Sequence, residues 1–278
     1  MANRTLIIGC GYIGLPLAVR LREQGHEVTG WVHSQESAEA LDARNFHRII
    51  VGSVASKEVW ATVSERYDVV IHCASSGRGG AEAYEEVFLK GVENVNAHQF
   101  AARRLLVSST SVYGQTQGEV VTEESLAEPN AETGRILREA EKKALDAGMI
   151  VVRSSGIYGP GRGVLWEKFR RGEAVIEGDG LRWMNQIHQH DLVAALVHLL
   201  EKGVPGEVYN ASDDVPVTQL DFYQWCADFL QKPMPPHGPV NTQRKRGLTN
   251  KRVSNAKLRA TGWQPIYPSF REGLGAFA

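Results

Sequence analysis

A glycine-rich turn near the N-terminus, Gly9-Cys10-Gly11-Tyr12-Ile13-Gly14, constrains the fold of this chain more than any other segment. It follows the apolar run 5–8, which is typical of a strand buried on both faces of a parallel sheet, and it precedes apolar residues at helical spacing. In this context G-x-G-x-x-G allows a tight turn, a close approach of pyrophosphate to the backbone, and close packing of helix on strand. The helix N-terminus adds N–H donors and partial positive charge. We therefore predict that Gly9, Gly11, Tyr12, Ile13 and Gly14 bind a dinucleotide, the alternative being a plain strand-to-helix turn.

Strands and helices alternate beyond this turn. Apolar runs at 26–32, 68–73, 104–108 and 149–153 read as strands, and helices are expected near 81–101 and 132–147. Such alternation is typical of right-handed βαβ units. The predicted fold class is therefore α/β, a doubly wound parallel sheet, followed after about residue 155 by a smaller lobe of mixed strands and helices.

The end of the second predicted strand bears on the choice of cofactor. NAD sites usually have Asp or Glu about 20 residues after the glycine turn, where its carboxylate accepts the ribose hydroxyls. Here the strand ends Val32-His33-Ser34, and the nearest acid is Glu36. No carboxylate would repel a 2′-phosphate, and His33 and Ser34 could donate to one. We therefore predict that NADP is preferred over NAD, although His33 could also be simply solvated.

Charge and cysteine content exclude several classes of protein. The net charge is −1 and the pI is about 6.8, whereas nucleic-acid and anionic-membrane binders are normally basic. Three cysteines without CxxC spacing argue against a disulfide framework or a structural zinc site and favour a reducing compartment. The longest apolar stretch, 192–200, falls well short of the roughly 20 residues of a membrane span. We expect a cytoplasmic protein with a small-molecule substrate, no nucleic-acid partner and no membrane association.

Several further motifs, taken together, resemble those of the extended short-chain dehydrogenase/reductases of the NAD-dependent epimerase/dehydratase type. They are Gly9–Gly14, Val69–Ala74, Ser108–Gly114, Arg153–Gly161 and Asn185–Leu192. The resemblance implies a Rossmann domain, about 1–165 plus 185–212, and a substrate-binding lobe, about 166–184 plus 213–278. It also implies that Cys73 and Ala74 lie beside the cofactor and that two helices, near 81–101 and 131–147, could pair subunits in a homodimer.

The resemblance also shows where this chain departs from the family. The family uses a Ser or Thr, a Tyr acting as general acid/base, and a Lys four residues after that Tyr. Ser109 matches the family serine, but Thr133 stands at the tyrosine position and Leu137 at the lysine position. A threonine hydroxyl does not ionise usefully near pH 7. The chain is therefore similar to atypical members of the family, and Tyr113 is the candidate for a replacement proton donor, the alternative being that it packs.

The lobe motifs supply candidate substrate residues: Tyr158, Arg162 and His188. Arg182 could also bind an anionic substrate, although it could equally well be an arginine that is solvated at the surface. His188-x-His190-Asp191 has a spacing that could suit a metal, but the better interpretation is a strand end followed by a helix capped by Asp191. We therefore predict no metal site.

Two functions follow from these observations. The first is an NAD(P)-binding oxidoreductase, epimerase or dehydratase acting on a sugar-like or small polar substrate, with Ser109 polarising the reacting oxygen. The second is an NAD(P)-binding sensor or interaction protein that has lost the chemistry. The intact Ser109 favours the enzyme, and the replaced Tyr and Lys favour the sensor.

Overall fold

The computed structural model describes residues 3–77, 79–98, 102–241 and 249–276, and strands and helices alternate along them. The strands are β1 (Arg4–Ile8), β2 (Glu27–Val32), β3 (Arg48–Val51), β4 (Val69–His72), β5 (Arg103–Ser109), β6 (Glu119–Val121), β7 (Ile150–Ser154), β8 (Gly156–Tyr158), β9 (Ile176–Glu177), β10 (Trp183–Met184), β11 (Gln186–His188), β12 (Val208–Ala211), β13 (Val217–Thr218), β14 (His237–Gly238) and β15 (Lys251–Val253).

The helices range from single turns to four turns. They are α1 (Gly14–Glu23), α2 (Gln35–Glu39), α3 (Lys57–Ala61), α4 (Ala81–Tyr84), α5 (Gly91–Ala97), α6 (Glu132–Asp146), α7 (Val164–Arg170), α8 (Gln189–Lys202), α9 (Gln219–Leu230), α10 (Ala256–Ala260) and α11 (Phe270–Gly275). A π-helical segment, Glu85–Lys90, joins α4 to α5, and 3₁₀ turns lie at Ala43–Asn45 and Thr110–Val112. Within the described ranges, no helix has the length and apolar character needed to cross a membrane.

Seven strands form one sheet in the order β12-β7-β5-β4-β1-β2-β3. The pairs β1–β2, β1–β4, β2–β3 and β4–β5 are all parallel. The chain runs outward from β1 to β3 and then returns to the other side of β1, so the strand order reverses between β1 and β4. Ligands bind at the carboxyl ends of the strands at such a switch point. The predicted doubly wound α/β fold is confirmed.

The chain divides into two compact units. The first comprises Met1–Val112, Glu128–Arg153 and Val193–Tyr209, and the second comprises Tyr113–Ala127, Ser154–Leu192 and Asn210–Ala278. The first contains most of the seven-stranded sheet, whose central strands are buried as their unbroken apolar runs require. The functional division predicted from the sequence, a cofactor domain and a substrate lobe, stays a prediction.

The second unit is built from short strand pairs around an aromatic core. The pairs β6–β15, β8–β11 and β9–β14 are parallel, and β10–β13 is antiparallel. Its core contains Trp166 and Phe169 of α7, Phe222 and Tyr223 of α9, and Phe270 of α11. The mixed character predicted beyond residue 155 follows from these four two-stranded sheets, whose strands are only two or three residues long.

Candidate functional site

The glycine turn has the geometry of a phosphate cradle. A Cβ on Gly9, which has φ +96°, would lie 2.3 Å from Ala74 Cα, and a Cβ on Gly14 would lie 2.1 Å from the Gly9 carbonyl oxygen. A Cβ on Gly11 would meet nothing within 4 Å. The first and third glycines are therefore required by the packing of the protein itself. The middle glycine leaves open backbone that a ligand could approach.

Strand register brings the other predicted cofactor residues to the same edge of the sheet. Ile8, the last residue of β1, pairs with Trp31 on one side and with His72 on the other. Gly9 and Cys73 therefore leave the sheet at one level, and His33 follows β2 one residue further on. Helix α1 begins there without an acidic residue in its first turn and without a side-chain cap, which leaves the positive end of its dipole uncompensated by its own side chains.

His33 and Ser34 lie between the end of β2 and helix α2. His33 is exposed and Ser34 is half-buried. The Ser34 hydroxyl accepts a hydrogen bond from the Ser37 amide at 3.2 Å and so caps α2. The Ser34 hydroxyl also lies 3.0 Å from the Ser37 hydroxyl, and when Ser37 donates in this contact the Ser34 proton is available as a donor. No Asp or Glu lies between the last residue of β2 and this cap.

The two thiols near the turn are structural. The Cys73 thiol donates to the Gly9 carbonyl at 3.3 Å, and the Cys10 thiol lies 3.5 Å from the Ile7 carbonyl. Burial raises the pKa of Cys10 to about 12 and that of Cys73 well above its usual range. Neither thiol is therefore a nucleophile near neutral pH. Cys73 instead links β4 to the backbone of the glycine turn.

Ser109 ends β5, and its hydroxyl oxygen accepts the amide hydrogen of Ser111 at 3.2 Å. The helix that should carry the Tyr and Lys is α6, and its first turn contains Thr133, which is half-buried. Leu137, one turn on, is 1% exposed. Its burial leaves no room there for an ammonium group with a solvent shell. The structure thus places both substituted positions on the predicted helix.

A buried ion pair fixes α6 against the sheet. Arg153 of β7 donates to Glu141 of α6 through Nη2 to Oε2 at 2.7 Å and through Nε to Oε1 at 3.0 Å. The Ser108 hydroxyl donates to the same carboxylate at 2.6 Å, and Arg138 donates at 3.2 Å. Glu141 and Arg153 are 0% and 2% exposed. The pair locks the rotation of α6, which determines where Thr133 and Leu137 point.

Two tyrosines that the motifs singled out are buried. Tyr113 is 0% exposed and its hydroxyl donates to Asn210 Oδ1 at 2.9 Å. Tyr158 is 3% exposed, and its hydroxyl donates to the Ser269 carbonyl at 3.2 Å. Burial raises the pKa of Tyr158 far above its usual value, and nearby carboxyl groups such as Asp213 raise it further. This geometry favours packing roles, so a proton-donor role for Tyr113 and a substrate contact by Tyr158 stay predictions without geometric support.

The other two lobe candidates differ in exposure. Arg162 is exposed at a turn whose backbone pairs with Gly159 at 2.9 Å in both directions. His188 is 1% exposed, accepts the His190 amide hydrogen at Nδ1, and packs against the Tyr267 ring at 4.1 Å. Burial, together with the nearby His190, lowers the pKa of His188 to about 4. His188 is therefore neutral at physiological pH.

The N-cap role expected for Asp191 is wrong. Helix α8 already begins at Gln189, and the Asp191 carboxylate accepts the amide hydrogens of Ile266 at 2.6 Å and Tyr267 at 3.0 Å. A carboxylate near a helix start satisfies whichever donors tertiary packing brings to it, and here these are on a distant loop. Across the described residues, no three His, Cys, Asp or Glu side chains gather as a metal site.

A buried lysine was not anticipated from the sequence. Lys251 of β15 is 5% exposed, and its ammonium donates to the Tyr113 carbonyl at 3.0 Å and to Thr249 Oγ1 at 2.6 Å. Burial, together with the nearby Arg182, lowers the pKa of Lys251 to about 8. Nothing local distinguishes this lysine, because it stands in a polar segment, 249–252, where a lysine is normally solvated.

Comparisons with known proteins agree with this architecture. Protein YeeZ of Escherichia coli K12 is 28% identical over 82% of this chain and 84% of its own length. A Streptomyces enzyme, 3-diazoavenalumate denitrifying reductase, is 27% identical over 98% of this chain and 99% of its own. A solved structure from Methylobacillus flagellatus, described as a NAD-dependent epimerase/dehydratase, is 30% identical, covers 99% of this chain and 97% of that one, and superposes with a TM-score of 0.80.

The family assignment rests on the sequence model and on the fold together. Residues 5–212 match the model of the NAD dependent epimerase/dehydratase family. This range includes the glycine turn, Ser109, and the α6 helix with its two substitutions. By sequence and by fold, the chain belongs to the NAD dependent epimerase/dehydratase family.

Proposed function

We propose that the first unit binds NADP(H) and that the protein is a reductase, which transfers hydride to a small polar substrate. The observation that carries the proposal is the asymmetry of the glycine turn. A Cβ on Gly9 or Gly14 would clash with the protein's own backbone, whereas a Cβ on Gly11 would lie in open space. Open backbone at the middle glycine, beside an α1 N-terminus free of acids, fits a pyrophosphate.

The replaced tetrad favours one reaction type over the others. Oxidation of a substrate alcohol requires a base that removes the hydroxyl proton, and Thr133 and Leu137 supply neither the phenol nor the ammonium for it. Hydride addition to an electrophilic carbon places negative charge on the substrate, which a hydrogen-bond donor can stabilise while solvent water supplies the proton. Ser109 retains its hydroxyl proton for that role, because its oxygen accepts the Ser111 amide hydrogen. Bound NADPH would supply the hydride.

A named reductase among the relatives supports this direction. The Streptomyces relative, which matches essentially end to end, is called 3-diazoavenalumate denitrifying reductase. The human dTDP-D-glucose 4,6-dehydratase is less similar, at 22% identity. The similarity favours a reductive role here without defining the substrate.

The preference for NADP(H) rests on His33 and Ser34. Neither position carries a charge that would repel a 2′-phosphate, and the Ser34 hydroxyl can donate to one. His33 is exposed, so a phosphate can reach it. An aspartate at position 33 would instead accept the two ribose hydroxyls of NAD.

Calorimetry tests the cofactor proposal. We expect wild-type protein to bind NADPH at least tenfold more tightly than NADH, a difference of about 1.4 kcal/mol. His33→Asp should reverse this order, because its carboxylate repels the 2′-phosphate. His237→Asp makes the same change at an exposed histidine of the second unit and should leave both affinities unchanged. Absence of NADPH and NADH binding at millimolar concentration would overturn the proposal.

Hydride transfer needs a separate test. Protein loaded with deuterated NADPH, labelled at the transferable position, is incubated with a panel of small anionic and neutral carbonyl and conjugated alkene compounds. Mass spectrometry then detects deuterium in the product. We expect incorporation with wild-type protein and its loss in Ser109→Ala. Tight cofactor binding without transfer to any panel compound would favour the sensor, a function that the substitutions Thr133 and Leu137 also fit.

A further inference from the structure

Lys251 and Arg182, both in the second unit, are neighbouring cations that lack a carboxylate partner. Lys251 is 5% exposed and Arg182 is half-buried. The charged side chain that lowers the pKa of Lys251 is that of Arg182, and Arg182 itself lies near the Tyr223 hydroxyl of α9. No Asp or Glu of the described residues pairs with either, and none of the residues outside the described ranges is acidic.

The segments that carry the two cations lie side by side. The Trp183 amide donates to Asn250 Oδ1 at 2.9 Å, so the segment that begins at Arg182 runs beside the segment that contains Lys251. The Asn185 side chain continues this contact, because it donates to the Lys251 carbonyl at 2.9 Å and accepts from the Val253 amide at 2.7 Å. Hydrogen bonds between asparagine side chains and the main chain therefore hold the two segments that carry these cations next to each other.

Such a pair is unfavourable when nothing neutralises it. A buried ammonium loses hydration, and a second cation nearby adds repulsion. The Tyr113 carbonyl and the Thr249 hydroxyl satisfy two of the three N–H donors of Lys251. The third donor and the Arg182 guanidinium, which has no hydrogen bond or ion pair within the described residues, match the two oxygens of a carboxylate or phosphate.

We propose that Lys251 and Arg182 bind an anionic group, a carboxylate or a phosphate, of the substrate. This step rests on the proposed function, because it assigns the anion to the molecule that the protein reduces. A bound anion neutralises the repulsion between the two cations and keeps Lys251 protonated. Specificity for acidic over neutral substrates follows.

Sulfate titration tests the site, because sulfate keeps its charge between pH 6 and 10. Calorimetry is performed on the full chain saturated with NADP⁺, which occupies the predicted 2′-phosphate site. We expect millimolar binding at pH 7 that weakens at least fivefold in Lys251→Met and in Arg182→Met. Arg252→Met removes the same charge one residue away, where the guanidinium donates to the Gly118 carbonyl and stacks on Trp183, and should bind as wild type does.

The pH dependence gives a second readout that a loss of folding cannot mimic. Wild-type affinity should fall at least threefold between pH 7 and pH 9.5 as Lys251 loses its proton, since its pKa is about 8. Lys251→Arg keeps the charge and should remove this decline. Equal sulfate affinity in wild type, Lys251→Met and Arg182→Met would overturn the proposal, as would an Arg252→Met variant that loses binding equally.

Two further measurements distinguish a carboxylate from a phosphate ligand, and the anion-site proposal from the reductase proposal. Acetate and methyl phosphate, titrated in the same way, show whether a carboxylate or a phosphate monoester is preferred. NADPH binding is measured on the same samples in the absence of sulfate. Sulfate binding without NADPH binding would refute the reductase while leaving the anion site standing, and NADPH binding with no sulfate binding would refute only the anion site.

Discussion

Glu141 and Arg153 form an ion pair whose two side chains are almost completely removed from solvent, with Oε2 and Nη2 2.7 Å apart. Removing one member of such a pair leaves an unpaired charge in the interior, whose cost is about 3–5 kcal/mol. We expect Glu141→Gln to lower the free energy of unfolding by this amount in urea denaturation. Glu139→Gln, at an exposed position of the same helix, should change it by less than about 0.5 kcal/mol.

The double variant Glu141→Leu/Arg153→Met gives a stricter test. Apolar side chains of similar volume leave no buried charge, so the double variant should be more stable than either single variant. If the double variant lost as much unfolding free energy as the two single variants together, Glu141 and Arg153 would contribute to stability independently. That result would contradict the ion-pair account.

The glycine turn predicts opposite outcomes for two alanine substitutions. Gly14→Ala places a Cβ 2.1 Å from the Gly9 carbonyl oxygen, so we expect the free energy of unfolding to fall by about 3 kcal/mol. Gly11→Ala meets nothing within 4 Å and should change stability by less than about 1 kcal/mol. Its Cβ should nevertheless lower NADPH affinity at least tenfold, because it occupies the space of the pyrophosphate. Unchanged affinity in Gly11→Ala would contradict our placement of the cofactor.

The glycine turn and the parallel sheet show which features the sequence could predict. The glycine turn depends on residues within six positions of one another, and its flanking strand and helix carry local periodicity. The parallel sheet follows from such units in succession. The local sequence pattern was therefore sufficient to predict the sheet and the position of the substituted helix.

Burial of polar groups could not be predicted in the same way. Tyr113 lies in a motif near other candidate residues, but the partner of its hydroxyl, Asn210, is 97 residues away. Lys251 is buried by the carbonyl of Tyr113, 138 residues earlier. Asp191 was expected to cap a helix and instead binds amides about 75 residues later. Hydrogen-bond partners at such separations depend on tertiary packing, which single-sequence patterns do not encode.

Asp213 predicts a pH dependence of stability. It is 2% exposed, and burial raises its pKa well above the usual value; the Val215 amide faces it without reaching hydrogen-bond geometry. The unfolded chain releases this proton above pH 3.9 or so, whereas the folded protein retains it. The contribution of Asp213 to stability is therefore full at low pH and declines as pH rises from about 4 toward the raised pKa.

Asp213→Asn should remove that decline. Urea denaturation at pH 5 and pH 8 should show the variant more stable than wild type by about 1–3 kcal/mol at pH 8, with a smaller gain at pH 5. Asp228→Asn removes an exposed carboxylate from the same unit and should reproduce the wild-type pH profile. A gain for Asp213→Asn that is equal at both pH values would show that the carboxyl is ionised in the folded protein.

Ser109 and Tyr113, the two catalytic candidates from the sequence, can be separated by comparing stability with hydride transfer. Tyr113→Phe leaves Asn210 Oδ1 without its donor, so we expect a loss of about 1–3 kcal/mol in unfolding free energy and an unchanged rate of deuteride transfer per folded molecule. Ser109→Ala should leave stability within about 1 kcal/mol and reduce that rate at least a hundredfold. A rate loss in Tyr113→Phe matching that of Ser109→Ala would mean that the buried phenol reaches the substrate, which would restore it as the proton donor.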